Sequence, residues 1–243
     1  LWGQDLNGHG AGAGNRPWTD YATGDACTGG HCDRRDDYLE AATALLVSDL
    51  EWMAAQWAED GEARATVIAD ADAGISAILT GMGSLSYGET AGERMRLGVM
   101  LNDPEEEHSC FADNTHNDHY FNGVGVQSAY LGSYTRINGE VVEGPSLADL
   151  VSATDASLDA EMQTKLASAV LALGKIKTAA EAGFSYDMML ERGNEAGEAL
   201  IMGGVNGLID QTRSIERVVA SLGAPAIKIE GSDSLYNPDA VFQ

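Results

Sequence analysis

The densest group of side chains able to do chemistry lies between Glu105 and His119, where three of the five histidines fall within 15 residues. These are His108, His116 and His119, and five acidic residues stand among them. Imidazole and carboxylate are ligands that zinc, iron and copper share, so the donor types alone do not choose among these metals. On one continuous helix, a rotation of about 100° per residue would bring all three imidazoles to one face. The pattern predicts a metal or ligand site, and a solvated polar helix junction is the alternative.

Signatures of common enzyme classes are absent elsewhere in the sequence. There is no His-Glu-x-x-His helix, no Gly-x-Ser-x-Gly elbow and no phosphate-binding loop. The glycine run at residues 8–12 follows no predicted strand, which argues against a dinucleotide site. Cys27 and Cys32 are close enough in sequence to form a disulfide, a metal clip or a redox pair, and the residues alone leave all three open. We expect Cys110 to be a buried small apolar side chain.

The charge composition limits the partners. Lys and Arg number 14 against 38 Asp and Glu, which gives a net charge of −24 and argues against nucleic acid and anionic membranes as partners. Residues 1–150 carry 7 basic and 25 acidic side chains, net −18, so this part attracts cations more strongly than the rest. Solubility is the alternative reason for the acidity. No charge-free stretch reaches the roughly 18–20 apolar residues of a membrane span, so we expect none in this chain.

Helical periodicity dominates the elements that must position these groups. Apolar residues three and four apart predict helices at about 35–57, 62–85, 90–101, 158–180 and 201–222. The two long stripes at the end of that series are typical of bundle helices.

Turn residues divide and interrupt this pattern. Asp103-Pro104 has the form of a helix start, which predicts a helix at His108 and a further segment to about Tyr134. A short strand pair is expected around 136–142. We predict an all-α fold with two parts, 1–140 and 141–243, joined by a turn-rich connection.

Four blocks of the sequence resemble the imelysin-like family, especially its iron-regulated protein A branch. They are Leu1–Leu6, Gly14–Tyr21, Cys32–Leu39 and Glu107–His116. The resemblance implies a fold of two units that are each similar to a four-helix bundle. It also implies a bacterial protein that is exported to the periplasm or cell surface and that serves iron acquisition.

The sequence departs from this family at its metal signature, Gly-x-His-x-x-Glu. No histidine here is followed by Glu three residues later. In relatives the signature lies just before the segment that matches residues 1–5, so we expect this chain to be part of a longer precursor. The first bundle would then be incomplete, and apolar surface in the N-terminal half would be exposed or covered by a second polypeptide, such as an upstream fragment of the same protein.

The resemblance also implies which residues form a site between the bundles. His108 and His116 would bind a metal ion, iron or zinc. A small ligand would be held by Asp5, Arg16, Trp18, Glu107 and Asp113. The oxidising compartment that the resemblance implies favours a disulfide between Cys27 and Cys32. We expect a binding protein, with a metallopeptidase of the imelysin type as the alternative, because the base and the oxyanion partner of a peptidase are not evident in this chain.

Overall fold

A computed structural model describes residues 16–242, and nearly all of the regular structure in it is helical. The all-α prediction is therefore confirmed. The described chain divides into two compact units, residues 16–74 and residues 75–242. The predicted boundary at residues 140–141 falls inside the second unit, and the division of the chain into the two bundles of the family stays a prediction.

The first unit consists of helices that follow a short looped segment. Its helices are α1 (Cys32–Gln56), α2 (Glu62–Ala69) and the first turn of α3 (Ala71–Ser84). The predicted helix over 62–85 is broken at Asp70, whose backbone is extended (φ −139°, ψ 109°). Four members of the predicted apolar stripe of α1 are more than half exposed, namely Leu46, Leu50, Met53 and Trp57. Since such a stripe is normally buried, α1 lacks a packing partner for it within residues 16–74.

The second unit is built around long helices. Its elements are α3 from Ile75 onward, a π-helix (Leu85–Arg96), α4 (Leu97–Leu101), α5 (Thr115–Leu131), β1 (Ser133–Thr135), β2 (Val141–Glu143), α6 (Leu147–Thr154), α7 (Ala156–Glu181), α8 (Tyr186–Leu190), α9 (Glu195–Ser221) and α10 (Asp233–Tyr236). Helices α7 and α9 pack along each other, α5 packs on α7, and the π-helix packs on α9. The short helices α6 and α8 close opposite ends of the core, because they contribute to different apolar clusters.

The two long stripes form the core as predicted. In α7 every stripe position from Leu158 to Ile176 is buried, and in α9 the positions from Ile201 to Val219 are buried. Their three- and four-residue spacing keeps these side chains on one face of each helix. Both helices start on side-chain caps, from Asp155 and Asn194 respectively, which supply acceptors for backbone N–H groups of the first turn.

The short strands differ slightly from their predicted place. Strands β1 and β2 pair antiparallel with Thr135 opposite Val141. Residues 136–140, which were expected inside the strand pair, form the connecting turn instead, with Gly139 at a φ of 85° that suits glycine. The hairpin therefore exists, but its paired residues lie on either side of the predicted segment.

The length and composition of the helices in residues 16–242 bear on whether any of them could cross a membrane. No single one of them combines the length and the apolar composition that crossing a bilayer requires. Only a bent pair, Glu62–Ala69 with Ala71–Leu101, meets both criteria when taken together.

Candidate functional site

The second unit contains a group of polar side chains centred on His119 of α5. The His119 ring is fully buried and meets the ring of Tyr186 from α8 edge to face, with 5.2 Å between centroids. The ring of His108 lies 6.5 Å from that of His119, centroid to centroid. Glu107 is also buried, and its carboxylate acts electrostatically on the Tyr186 hydroxyl. We call Glu107, His108, His119 and Tyr186 the histidine–tyrosine cluster.

The polar atoms of the His119 and Tyr186 rings lack hydrogen-bond partners within the described residues. Neither Nδ1 nor Nε2 of His119 makes a hydrogen bond there, and neither does the hydroxyl of Tyr186. A polar group that is removed from water without a hydrogen bond costs about 1–3 kcal/mol, so native proteins rarely leave one unsatisfied without a reason. Three such atoms on two rings in contact therefore call for partners beyond the described residues, such as a buried water or a group of a bound molecule.

Burial fixes the protonation states of both rings. The pKa of His119 is lowered to about 3, chiefly because burial disfavours the imidazolium and further because of electrostatic interactions with His108, Arg94 and His116. Burial also raises the pKa of Tyr186, and the Glu107 carboxylate raises it further. Near pH 7 the imidazole is therefore neutral, with one donor and one acceptor nitrogen, and the phenol keeps its proton.

Helix α5 and the chain before it bring these groups together. The helix predicted at His108 does not form. Residues 103–114 contain two short 3₁₀ turns instead. Asp113 closes the segment with a left-handed backbone, φ 48°. The Ser109 N–H donates to Oγ1 of the buried Thr115 at 2.9 Å, and the Ser109 hydroxyl donates to Asp118. These bonds fold the segment back onto the first turns of α5.

The three histidines consequently differ in position. His108 is exposed, His116 is half-buried and His119 is buried. The expectation of one helical face is wrong for His108, which reaches His119 from a loop and not from the same helix. Burial also lowers the pKa of His116, while its Nε2 lies 3.1 Å from Nδ2 of Asn117. The arrangement runs from an exposed imidazole to a buried one.

The π-helix contributes a cation beside the cluster. Its hydrogen bonds run from residue i to i+5, an arrangement that is rare and frequent at functional sites. Arg94 pairs with Glu89 at 2.8 Å, and its charge is close enough to His119 to lower the pKa of that residue. The sequence predicts a plain helix over 90–101, so the π-helical geometry is a difference that the periodicity does not reveal.

The loop that carries Arg16 and Trp18 belongs to the first unit. Arg16 Nη1 donates to Oδ2 of Asp20 at 2.8 Å, and Thr28 Oγ1 donates to Oδ1 at 2.9 Å. The hydrogen bond from Thr28 lowers the pKa of the Asp20 carboxyl. Trp18 is 75% exposed. A site shared by Arg16 and Trp18 with the histidines stays a prediction.

The other predicted site residues are placed as follows. Cys27 and Cys32 are joined by a disulfide, with their Cα atoms 5.8 Å apart. Asp113 is half-buried, and its charge acts on His116. Cys110, expected to be buried, is half-buried. Asp5 lies outside the described residues.

The described residues do not make up a complete metal centre. Within residues 16–242, no three His, Cys, Asp or Glu side chains converge closely enough to hold a metal ion. A metal site with three protein ligands that includes His108 or His116 is therefore not formed within that range. The unsatisfied atoms are instead a neutral imidazole and a phenol, which suit hydrogen bonding to a molecule that brings its own donors and acceptors.

The sequence pattern included His119 among the clustered histidines without naming it as a ligand, and it missed Tyr186. His119 was visible three positions after His116, but nothing in the sequence distinguished the buried imidazole from the exposed ones. Tyr186 carried no signal, since it lies 67 residues further along the chain in a short helix that was not predicted.

Comparisons with known proteins assign the chain to a family. A search of curated proteins finds no significant match. The imelysin family model matches residues 1–215, which include both regions where site residues were expected and all of the histidine–tyrosine cluster. Because this match extends over most of the 243 residues, the chain belongs to the imelysin family.

Proposed function

We propose that this chain is an exported protein of bacterial iron acquisition that binds a metal-associated ligand at the histidine–tyrosine cluster. The observation that carries the proposal is the pair of buried rings, His119 and Tyr186, whose polar atoms lack partners within the described residues. The proposed role in iron acquisition and the proposed export of the protein both rest on the family resemblance. The disulfide between Cys27 and Cys32 supports an oxidising compartment.

The cluster favours a ligand of particular chemistry. Tyr186 offers one O–H donor, and neutral His119 offers one N–H donor and one acceptor nitrogen. A ligand with carboxylate or hydroxyl oxygens could satisfy the two donors, and a hydroxyl hydrogen could satisfy the acceptor. In a buried site these hydrogen bonds are stronger than in water. An organic acid that carries iron has such groups.

This arrangement of side chains favours ligand binding over peptide cleavage as the function. A metallopeptidase requires a metal with an open position for water, together with a general base. The described residues include side chains of the types that bind metals, but no three of them converge on one point. The binding role needs only the hydrogen-bonding groups that the cluster presents.

Calorimetric titration of the intact protein tests the proposal, with ferric citrate, citrate alone, ferric ion and zinc ion as separate probes. We expect ferric citrate to bind, and His119→Gln and Tyr186→Phe each to weaken binding by about tenfold, because each removes hydrogen bonds to the ligand. His108→Ala is expected to weaken it less, since His108 is exposed.

Tyr130→Phe provides a matched control, since Tyr130 is equally buried but its hydroxyl already donates to Asp159 at 3.0 Å. Its affinity should equal that of the unmodified protein. Equal affinity in the His119→Gln variant would overturn the proposal. Cleavage of a peptide on addition of zinc, lost in that variant, would instead support the metallopeptidase.

A further inference from the structure

A cleft that shares no lining residue with the histidine–tyrosine cluster lies between the π-helix, α9 and the chain that follows α9. Its volume is about 390 Å³. Its lining includes Tyr87, Arg213, Glu216, Lys228, Ile229 and Tyr236. We call it the tail cleft, because residues 227–236 form one of its sides. None of its residues is used in the proposed function.

The tail is fixed against α3 and the π-helix by close contacts at two glycines. A Cβ at Gly83 would lie 2.7 Å from Cδ1 of Ile229, and one at Gly88 would lie 2.6 Å from the carbonyl oxygen of Glu230. The side chain of Ile229 could move aside, but the backbone oxygen of Glu230 could not do so without moving the tail, so Gly88 is required for this close approach. The cleft is therefore bounded by packed backbone.

Hydrogen bonds hold the same segment at both ends. The Glu230 N–H donates to Oγ of Ser84 at 3.1 Å, and the Ser234 hydroxyl donates to the Gly92 carbonyl at 2.9 Å. Ser234 and Ser232 are buried. The wall that carries Lys228 and Tyr236 is thus anchored on either side of Gly231.

Two tyrosines form an aromatic corner of the tail cleft. The rings of Tyr87 and Tyr236 lie 5.5 Å apart between centroids and are tilted by 46°. Burial raises the pKa of Tyr87, so its phenol keeps its proton near pH 7. Ile229 adds apolar surface beside them. A flat ring placed against this corner would pack on aromatic and aliphatic side chains, and aromatic pairs add to the free energy of burial.

The charge of the cleft contrasts with that of the chain. Arg213 and Lys228 outnumber the one acidic lining residue, Glu216, whereas the whole protein has a net charge of −24. Arg213 uses Nη1 to bind Asp210 at 3.1 Å and retains further N–H donors. Lys228 makes no ion pair with any residue in the described range 16–242. Two cations beside an aromatic corner are suited to an anionic group on a planar molecule.

We infer that the tail cleft binds a small aromatic acid, a planar ring that carries a carboxylate. The ring packs on Tyr87 and Tyr236, and the carboxylate accepts hydrogen bonds from Arg213 and Lys228. Glu216 limits the affinity, because its negative charge opposes the carboxylate. The volume of the cleft is at the lower end of the range for small-molecule sites, which favours a ligand of one or two rings.

Fluorescence anisotropy with 2-naphthoate tests this inference on the full chain. Its matched probes are 2-naphthalenemethanol, which has the rings without the charge, and cyclohexanecarboxylate, which has the charge without the aromatic ring and is measured by competition. We expect 2-naphthoate to bind at least tenfold more tightly than either probe. Equal affinity of the neutral alcohol would overturn the inference, since it would reduce the cleft to a general apolar surface.

Three variants make the test specific to the tail cleft. Arg213→Gln with Lys228→Gln should weaken 2-naphthoate binding by tenfold or more, because both charge-assisted contacts are lost. Glu216→Gln should strengthen it a few-fold. Arg136→Gln with Arg192→Gln makes the same change in net charge outside the cleft and should leave the affinity within twofold of the unmodified protein. All of these side chains are exposed, so the fold should persist. Equal losses in the two double variants would overturn the inference.

Discussion

Two tyrosines of the second unit are equally buried and differ in their hydrogen bonding. Tyr130 and Tyr186 both have no exposed surface. The Tyr130 hydroxyl donates to Oδ1 of Asp159 at 3.0 Å, and Nε2 of Gln163 donates to Oδ2 of the same carboxylate at 2.9 Å. The Tyr186 hydroxyl makes no hydrogen bond within the described residues, and its ring contacts that of His119, whose side chain makes none either.

The difference separates polar groups that hold the fold from those that are available for binding. Around Tyr130, donors and acceptors are matched between α5 and α7, so the network joins two core helices. Around Tyr186, burial carries a cost that no described residue offsets. Unsatisfied groups of this kind persist where function requires them, as the proposed ligand site would.

The largest expected effect is on the pH dependence of stability, measured by denaturant unfolding of the unmodified protein and of His119→Leu. His119 has a pKa of about 3 when folded and 6.5 in the unfolded chain, so below pH 6.5 the unfolded state binds a proton that the folded state does not. The unmodified protein should therefore lose about 2 kcal/mol more than the variant between pH 7 and pH 5.

A control variant isolates this effect from the many carboxylates that also titrate. His31 is an exposed histidine that precedes α1, and His31→Gln should keep the pH dependence of the unmodified protein. Identical pH profiles for His119→Leu and the unmodified protein would show that His119 is not buried as a neutral ring.

The next effect is a loss of stability in Tyr130→Phe. Removing the hydroxyl leaves the buried Asp159 carboxylate with one hydrogen bond fewer, which should lower the free energy of unfolding by about 1–2 kcal/mol. Chemical denaturation at pH 7 measures it. A change near zero would mean that the Tyr130 network contributes nothing to the fold.

The smallest effect is expected for Tyr186→Phe, measured in the same way. Because its hydroxyl makes no hydrogen bond within the described residues, removing it should change the free energy of unfolding by less than about 0.5 kcal/mol and could increase stability. A loss as large as that of Tyr130→Phe would contradict the contrast between the two tyrosines.

The fold was largely predictable because the information that specifies it is periodic. The stripes of α7 and α9 repeat every three or four residues over about five turns, and their positions from Leu158 to Ile176 and from Ile201 to Val219 are buried. The π-helix was not predictable in this way, because its apolar residues also recur at near-helical spacing. The break at Asp70 likewise depends on one extended residue that no pattern marks.

The candidate site was predictable only in part. Residue types placed Glu107 and His108 in a site, and both belong to the cluster. The ring of Tyr186, which contacts His119, comes from α8, and α8 follows α7 in the sequence. Its position beside His119 therefore depends on how the core packs and not on a local pattern. His119 is buried and the neighbouring His116 is only half-buried, and this difference also depends on how the core packs.

The π-helix ties the Glu89–Arg94 ion pair to the local helix geometry. Its i to i+5 geometry sets Glu89 beside Arg94, whereas an α-helix would turn residues five apart by about 140° from each other. The same residues in an ordinary α-helix would therefore separate this pair, and removal of one residue between them, which leaves them four apart, would restore it. The spacing of the two charges and the wider turn of the helix are thus specified together.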